Sequence, residues 1–289
     1  MKTQNGFTRF DNIKEFENWL NKQKVNRKIT RLQVHHMDLP NYYTWTTTDK
    51  KVYGNNRELG RTKSLDDYGK RTWRSGDGYG HYIAQHFNIF PNGKITTGRN
   101  LNSKPIGIRG WNDNAICIEI YGDFDTDIMT SEQKATVIAV YALLCKRFHL
   151  SPNITHIRPH GFFTAGGTYL GKYNASRSAK TCPGLKFFGG LNKFEDNFLP
   201  EIKKYMNGQK PNTTMDKVTE PLKSNDYYFL VKVLTDNLNI RKEASFSSKI
   251  VDQVNKGDVY TIVEEKNGLG KLKSGIGWIS MGSKYVKKV

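Results

Sequence analysis

The sequence predicts a protein of two domains, an α/β domain followed by a small all-β domain. Helix-like and strand-like patterns mix over residues 1–206, whereas only short strand-like runs fill residues 227–289. Between them, residues 207–226 are polar, contain two prolines and show no periodicity, which indicates a linker. A length of 289 residues suits two domains better than one.

Two helices are predicted in the α/β region. Residues 11–24 form the first, because their apolar side chains recur at helical spacing. Four residues share its apolar face: Ile13, Phe16, Trp19 and Leu20. The second helix is predicted at 132–148, where an apolar stripe indicates a core-facing helix. Thr130 and Gln133 can form its capping box.

Strands are predicted between and after these helices. Their apolar or alternating residues occupy positions 29–36, 82–90, 94–99, 115–122 and 153–159. The turn residues Pro91-Asn92-Gly93 indicate that strands 82–90 and 94–99 form a hairpin. Residues 161–181 are rich in Gly, Ser, Thr and Lys and are predicted to be a long loop. Such a loop is either a lid or substrate wall, or a plain surface insertion.

Short strands are also predicted throughout the last region. They correspond to the runs FLVKVLT, LNIRK, KIVDQV, VYTIVEEK, GKLK and GWIS, separated by Asn, Gly and Lys turns. This spacing predicts a small barrel or sandwich of about 60 residues.

The composition predicts a folded, soluble protein, with 37% hydrophobic and 25% charged residues. No run approaches the ~18 apolar residues that a membrane span needs. The first residues, MKTQNGFTRFDNIKEF, contain no apolar core of a secretion signal. We therefore expect synthesis in the cytoplasm, with another agent releasing the protein to any external target.

The net charge of +18 indicates a polyanionic partner. Charge alone favours nucleic acid and an anionic cell-wall polymer or lipid surface about equally. A nucleic-acid binder would cluster aromatic and basic residues in a groove. The sequence contains no motif of that kind, so we expect no specific nucleic-acid partner.

The three cysteines are too few and too far apart to indicate a disulfide framework. Cys117 and Cys145 lie in apolar runs and are predicted to be inert core residues. Cys182 lies in the polar segment SAKTCPG and can serve as a thiolate ligand.

Strand alternation indicates which side of the sheet each histidine faces. In ITRLQVHH, His36 shares the apolar face, so His35 points to the more polar side. In NITHIRPH, His156 and His160 share one face, and alternation leaves both open as candidates. His160 is favoured because it lies at the strand end beside the long loop. Two histidines and a cysteine are acceptable ligands for a catalytic zinc, although this spacing alone is weak evidence.

Glu119 is a lone carboxylate in the apolar strand AICIEIYG, on the face opposite Ile116, Ile118 and Ile120. Such a group is costly to bury without a partner. The partner is either a metal or another cation of a functional site, or a structural lysine or arginine.

The first domain resembles the zinc-dependent N-acetylmuramoyl-L-alanine amidases of phage endolysins and bacterial autolysins, which are related to peptidoglycan-recognition proteins. The segments that carry the resemblance are LQVHH, IAQHFNIFPNGKITTGR, NAICIEIYG and SAKTCPG, in the family's order over most of residues 28–190. The resemblance implies a mixed central sheet flanked by helices. It also implies cleavage of the amide bond between muramic acid and L-alanine of peptidoglycan.

Carried over residue by residue, the resemblance implies Zn²⁺ ligands at His35, His160 and Cys182. It implies a catalytic acidic residue at Glu119 and an oxyanion-stabilising lysine at Lys180. Gln85 stands where some relatives have a catalytic tyrosine, so Glu119 is expected to carry that role. The alternative to an enzyme is a recognition protein that binds peptidoglycan without cutting it, although such relatives often lack the cysteine ligand.

The last region resembles bacterial SH3-like cell-wall-binding domains, through LNIRKEAS, KGDVYTIVEEKNGLGKLK and GIGWIS. The resemblance implies that this domain holds the enzyme on peptidoglycan and anionic wall polymers. Trp278, Tyr260 and Tyr285 are candidate wall contacts, or they fill the core of the barrel. The expected whole is a lytic enzyme, most simply a phage endolysin acting on a Gram-positive wall after release.

Overall fold

A computed structural model describes residues 1–209, 229–272 and 276–288 of the chain. The chain divides into two compact units, residues 1–215 and 216–289. Residues 210–226 of the predicted linker lie outside the described residues, so the predicted domain boundaries stay predictions.

A mixed sheet forms the centre of the first unit. Within residues 1–209 it contains seven strands in the order β1-β2-β5-β4-β6-β3-β7. These are β1 (Lys2–Gln4), β2 (Phe7–Phe10), β3 (Arg31–His36), β4 (Phe87–Ile89), β5 (Ile95–Thr97), β6 (Ala115–Ile120) and β7 (Ile157–Pro159). Strand β3 pairs in parallel with β6 and β7, and β4 pairs in parallel with β6. The remaining pairs are antiparallel, which confirms the mixed sheet.

Helices flank this sheet. They are α1 (Ile13–Lys22), α2 (Tyr42–Thr44), α3 (Lys50–Tyr53), α4 (Arg57–Thr72), α5 (Ser131–Phe148) and α6 (Leu199–Met206). Short 3-10 segments span Gly54–Asn56, His160–Phe162, Phe187–Gly189 and Leu191–Lys193. Five-residue π-helical turns span Trp45–Asp49 and Phe194–Phe198. None of the helices in the described residues is long and apolar enough to cross a membrane.

The apolar face of the sheet carries the main core. Isoleucines of β6 and Leu32 and Val34 of β3 are fully buried there with the apolar side chains of α1 and α5. Phe16 of α1 contacts the ring of Phe87 on β4 at a centroid distance of 5.1 Å. The predicted apolar face of α1 is thus the face that packs on the sheet.

Helix α5 begins where the sequence predicts, but with half of the expected capping box. The hydroxyl of Thr130 accepts a hydrogen bond from the backbone N–H of Gln133 at 3.1 Å. The Gln133 amide instead donates to the carbonyls of Ile89 and Tyr121. It therefore ties the helix to the sheet, a tertiary role that local sequence does not reveal.

The opposite face of the sheet is more polar and is partly covered by α4. Phe7, Leu59 and Ile83 form a small apolar cluster there. The hydroxyls of Thr62 on α4 and Thr96 on β5 lie 2.7 Å apart. Strands β1 and β2 and the helical region 42–72 were not predicted, and β4 is shorter than the predicted 82–90.

The second unit is an antiparallel sheet. Among its described residues it contains β8 (Phe229–Val233), β9 (Leu238–Arg241), β10 (Ile250–Val254), β11 (Val259–Lys266), β12 (Leu269–Leu272), β13 (Trp278–Ser280) and β14 (Val286–Lys288). Their order is β10-β9-β13-β12-β11-β8-β14. Val231, Ile240, Ile262 and Ile279 are buried in its core. The small all-β domain is confirmed, with β14 as an additional strand.

Candidate metal centre

Parallel pairing brings the two histidine candidates to one edge of the first sheet. His35 is the penultimate residue of β3, and His160 directly follows β7. The register pairs Val34 with Pro159, so the residues after this pair lie side by side. The carboxyl ends of parallel strands meet at the same edge, where polar side chains from both can converge. The rings of His35 and His160 are 5.0 Å apart between centroids.

Cys182 completes a cluster with these histidines. One ligand atom from each of His35, His160 and Cys182 lies within 4.8 Å of the others. The sulfur of Cys182 is 3.7 Å from Nδ1 of His35. Nitrogen and sulfur ligands arranged tetrahedrally around zinc at ordinary bond lengths are ~3.6 Å apart. The donor spacing therefore fits a single metal ion.

Backbone contacts fix the position of Cys182. The N–H of Gly161, next to His160, donates to the carbonyl of Cys182 at 2.6 Å. The N–H of His36 points at the Cys182 sulfur at 3.4 Å. The third candidate ligand is thus tied to the chain beside each of the other two.

His35 is available as a neutral ligand. It is 3% exposed, and among the described residues its Nε2 has no hydrogen-bond partner. Burial, together with the charges of His160 and Lys180, holds the pKa of His35 well below its ordinary value. A buried imidazole nitrogen without a partner is costly unless something else satisfies it. Nδ1 of the same ring is the nitrogen near the Cys182 sulfur and the Glu119 carboxyl, so the neutral ring can offer a lone pair to a metal ion.

His160 and Cys182 differ in protonation. Burial lowers the pKa of His160 to about 4, so its ring is neutral at physiological pH. Burial also raises the pKa of the Cys182 thiol well above its ordinary value. Because a metal binds the thiolate, this cysteine must release a proton when it becomes a ligand.

Glu119 lies beside His35 because β6 pairs with β3 in that register. Its carboxylate oxygen is 3.9 Å from Nδ1 of His35, and its side chain is 20% exposed. Burial raises the pKa of Glu119 to about 8, an effect that Lys180 opposes. Both partners are therefore mainly neutral near pH 7, and this contact is not an ion pair.

Lys180 is exposed, two residues before Cys182. Its positive charge lowers the pKa values of His35, His160 and Glu119. The structure therefore brings the two histidines, the cysteine and the Glu119 carboxyl together, and the charge of Lys180 acts on this cluster.

Two known protein families match parts of this chain. Residues 25–185, more than half of the chain, match the family described as N-acetylmuramoyl-L-alanine amidase. The chain belongs to this amidase family. Residues 236–287 match the bacterial SH3 domain. No curated protein sequence matches the chain.

Solved structures similar to this amidase-family chain include two kinds of protein. One is N-acetylmuramoyl-L-alanine amidase LysC from Clostridium intestinale URNW, 21% identical, with 63% of this chain and 87% of that chain covered and a TM-score of 0.38. Another is Drosophila PGRP-LB, 17% identical, with 58% and 81% covered and a TM-score of 0.40.

Three residues that the sequence analysis weighed as alternatives to the site residues of the amidase-family domain make contacts outside the three-ligand cluster. His156, the alternative to His160, has its Nδ1 2.9 Å from the carbonyl of Thr30 and lies outside the three-ligand cluster. Nδ1 of His36 accepts a hydrogen bond from the N–H of Phe124 at 3.0 Å. Gln85 donates to the side chain of Asn88 at 2.5 Å.

Asn88 is a polar residue next to Glu119 that was not predicted from the sequence. It is fully buried and pairs in register with Glu119, on the side opposite His35. Its amide donates to the hydroxyl of Thr96 at 3.0 Å. Alternation in FNI, where Asn88 stands between two apolar residues, could have placed it on the polar face.

The long loop 161–181 of the amidase-family domain is anchored in its first half. Phe163 and Tyr169 form an isolated β-bridge, and their rings lie 5.3 Å apart. The guanidinium of Arg158 stacks over the ring of Tyr169 at 3.8 Å. The predicted role of this loop as a lid or substrate wall stays a prediction.

The predicted wall contacts of the second unit are only partly accessible. Trp278 is 8% exposed. Tyr260 and Tyr285 are partly buried and pack against the small core. All three stay predictions as contacts to the wall.

Proposed function

We propose that the chain is a zinc-dependent hydrolase that cleaves the amide bond between N-acetylmuramic acid and L-alanine in bacterial peptidoglycan. The observation that carries the proposal is the convergence of His35, His160 and Cys182 on one point beside the Glu119 carboxyl. Two neutral imidazoles and a thiolate are ligands that suit catalytic zinc, and three protein ligands are the usual number for a catalytic site.

A bound zinc ion would supply Lewis acidity, which polarises an amide carbonyl and acidifies water. Glu119 is suited to move the proton. Its carboxyl lies 3.9 Å from His35 of the centre, and in its ionised form a carboxylate placed there can accept a proton and later return it. We propose that Glu119 takes a proton from the attacking water and delivers it to the amine of L-alanine.

Lys180 is proposed to stabilise the negative charge that develops on the carbonyl oxygen. Its charge already acts on His35, His160 and Glu119. A cation beside a partly buried site stabilises developing charge more strongly than it would in water.

The bacterial SH3 domain is proposed to hold the enzyme on its polymeric substrate. A second binding module raises the local concentration of substrate at the catalytic site. The net charge of +18 suits walls that also carry anionic polymers. We further propose that the protein is an endolysin of a phage of a Gram-positive host, made in the cytoplasm and acting on the wall after release.

The test is digestion of purified cell walls by the zinc-loaded chain, followed by mass spectrometry of the fragments. New free L-alanine amino termini, paired with peptide-free muramic acid, are the expected result. Binding to walls without any release would favour the second candidate, a non-catalytic recognition protein. Release of fragments cut at a glycosidic or inter-peptide bond would overturn the proposed bond.

A further inference from the structure

The turn between β6 and α5 contacts the segment that carries Cys182. One carboxylate oxygen of Asp125 accepts a hydrogen bond from the hydroxyl of Thr181 at 2.5 Å. The other accepts from the backbone N–H of Leu185 at 2.8 Å. A single carboxylate therefore holds the chain on both sides of Cys182.

Further contacts join the same two segments. The backbone N–H of Lys186 donates to the carbonyl of Phe124 at 2.7 Å, and its ammonium group donates to the carbonyl of Thr126 at 2.8 Å. Gly184 has a φ of +117°, and a Cβ there would lie 2.4 Å from the carbonyl carbon of Phe124. Only glycine allows the chain to pass this closely.

We propose that Asp125 is a positioning residue for the metal centre, acting through Thr181. The inference rests on the proposed function, because it requires zinc at His35, His160 and Cys182. Cys182 lies in a segment without regular secondary structure, so its sulfur depends on tertiary contacts for its position. A ligand set binds tightly only when its atoms are held near the final geometry before the ion arrives. Loss of a group that bonds directly to a metal ligand typically costs 10–100-fold in metal affinity. Asp125 acts through the residue next to the ligand, so we expect a loss near the lower end of that range.

Thr181 offers a closely matched pair of variants. Thr181→Val keeps the size and β-branching of the side chain but removes the hydroxyl donor. Thr181→Ser keeps the donor. The measurements are the zinc dissociation constant of the full chain, from competition with a chelator, and the thiolate-to-cobalt charge-transfer band of the Co²⁺-loaded protein.

We expect Thr181→Val to weaken zinc binding about tenfold or more and to shift or weaken the cobalt band. Thr181→Ser should match the wild type. The melting temperatures of the metal-free proteins should stay close to each other, which separates positioning from a general loss of stability.

Asp125→Asn tests whether the hydrogen bonds of Asp125 or its negative charge supports zinc binding. Its amide can accept from Leu185 and donate to Thr181, so the connection persists without the negative charge, and near-normal zinc affinity is expected. Zinc binding by Thr181→Val equal to that of the wild type would overturn the inference. A large loss in Asp125→Asn with none in Thr181→Val would also overturn it, because charge would then be the cause.

Failure of the proposed function has a different signature. If the zinc site itself is wrong, the wild-type chain will bind no zinc, whatever the residue at position 181. If only the bond or the catalysis is wrong, the wild-type chain will bind zinc and the wall-digestion test alone will fail. If Thr181→Val does not fold, the comparison passes to Asp125→Ala against Asp125→Asn. Equal zinc affinity in those two variants would then count against the inference.

Discussion

The sulfur of Cys182 lies 3.7 Å from Nδ1 of His35, although 147 positions of sequence separate the two residues. The pair meets because the polar segment after the long loop returns to the ends of β3 and β7, where His36 and Gly161 bond to it. His160 joins this pair within 4.8 Å. The chemistry proposed for the domain depends on this convergence.

The first prediction concerns the choice of ligands. Removal of any one of the three donors, as in His35→Ala, His160→Ala or Cys182→Ala, should abolish tight binding of one zinc ion per chain. His156→Ala is the control, because His156 bonds to Thr30 rather than to the cluster. The measurement is the zinc content of each variant after dialysis, by atomic emission, compared with that of the wild type. Loss of zinc in His156→Ala with retention in His160→Ala would mean that the ligand set is wrong.

The second prediction concerns the pH dependence of zinc binding. His35 and His160 have lowered pKa values, so both are already neutral near pH 7 and release no proton. Cys182 has a raised pKa and must lose its proton. In a Glu119→Gln background, zinc affinity should therefore rise about tenfold per pH unit between about pH 6 and pH 8, one proton per ion. Titration calorimetry in buffers of different ionisation enthalpy counts the protons, and a count near zero or three would contradict this assignment.

The third prediction concerns Glu119. Glu119→Gln removes the group proposed to move the proton while keeping its size, so turnover should fall roughly 10²–10⁴-fold. Zinc stoichiometry should be unchanged. The measurement is the rate at which free L-alanine amino termini appear from purified walls. Glu132→Gln, at an exposed position in the first turn of α5, is the control and should retain full activity. Normal turnover by Glu119→Gln would exclude its proposed role.

The fourth prediction concerns His86 and acid stability. This ring is fully buried, and its Nδ1 accepts a hydrogen bond from the N–H of Cys117 at 3.0 Å. Burial, together with the charge of Arg27, lowers its pKa from 6.5 to about 3. Between these values the unfolded chain binds a proton that the folded chain does not. Stability conferred by neutral His86 is therefore lost as the pH falls from about 6.5 towards 3.

The expected slope from this one group is at most about 1.4 kcal/mol of unfolding free energy per pH unit. His86→Asn should reduce the slope, since Asn can accept from Cys117 without titrating in this range. His149→Asn, at an exposed position, is the matched control. Urea unfolding of metal-free protein at several pH values measures the slope, and equal slopes in wild type and His86→Asn would show that His86 does not contribute.

Local patterns in the sequence determined the classes of the two domains and the elements with strong periodicity. The apolar alternation of β6 and the stripe of α5 predicted those elements nearly to their ends. Alternation also separated His35 from His36, because neighbouring residues of a strand face opposite sides. These properties depend on residues close in the chain.

Elements without such a pattern were missed. Helix α4 has several polar residues on its buried side, among them Glu58, Thr62 and Asp66. Asp66 accepts hydrogen bonds from the backbone N–H groups of Tyr82 and Ile83, at the start of the predicted strand 82–90, and the observed strand β4 begins only at Phe87. Polar burial of this kind is stable only where tertiary partners exist, so periodicity could not reveal it.

Only the tertiary structure decided between His156 and His160 as neighbours of His35. Alternation puts both on the same face of the strand. The pairing of β7 with β3, however, places His160 beside His35, whereas the ring of His156 contacts the carbonyl of Thr30. The same folding buries Glu119 and raises its pKa to about 8, a shift that cannot be predicted from the strand alone. Register and the depth of burial arise from contacts between residues far apart in the chain. The sequence pattern of a single strand indicates which face is apolar but fixes neither of them.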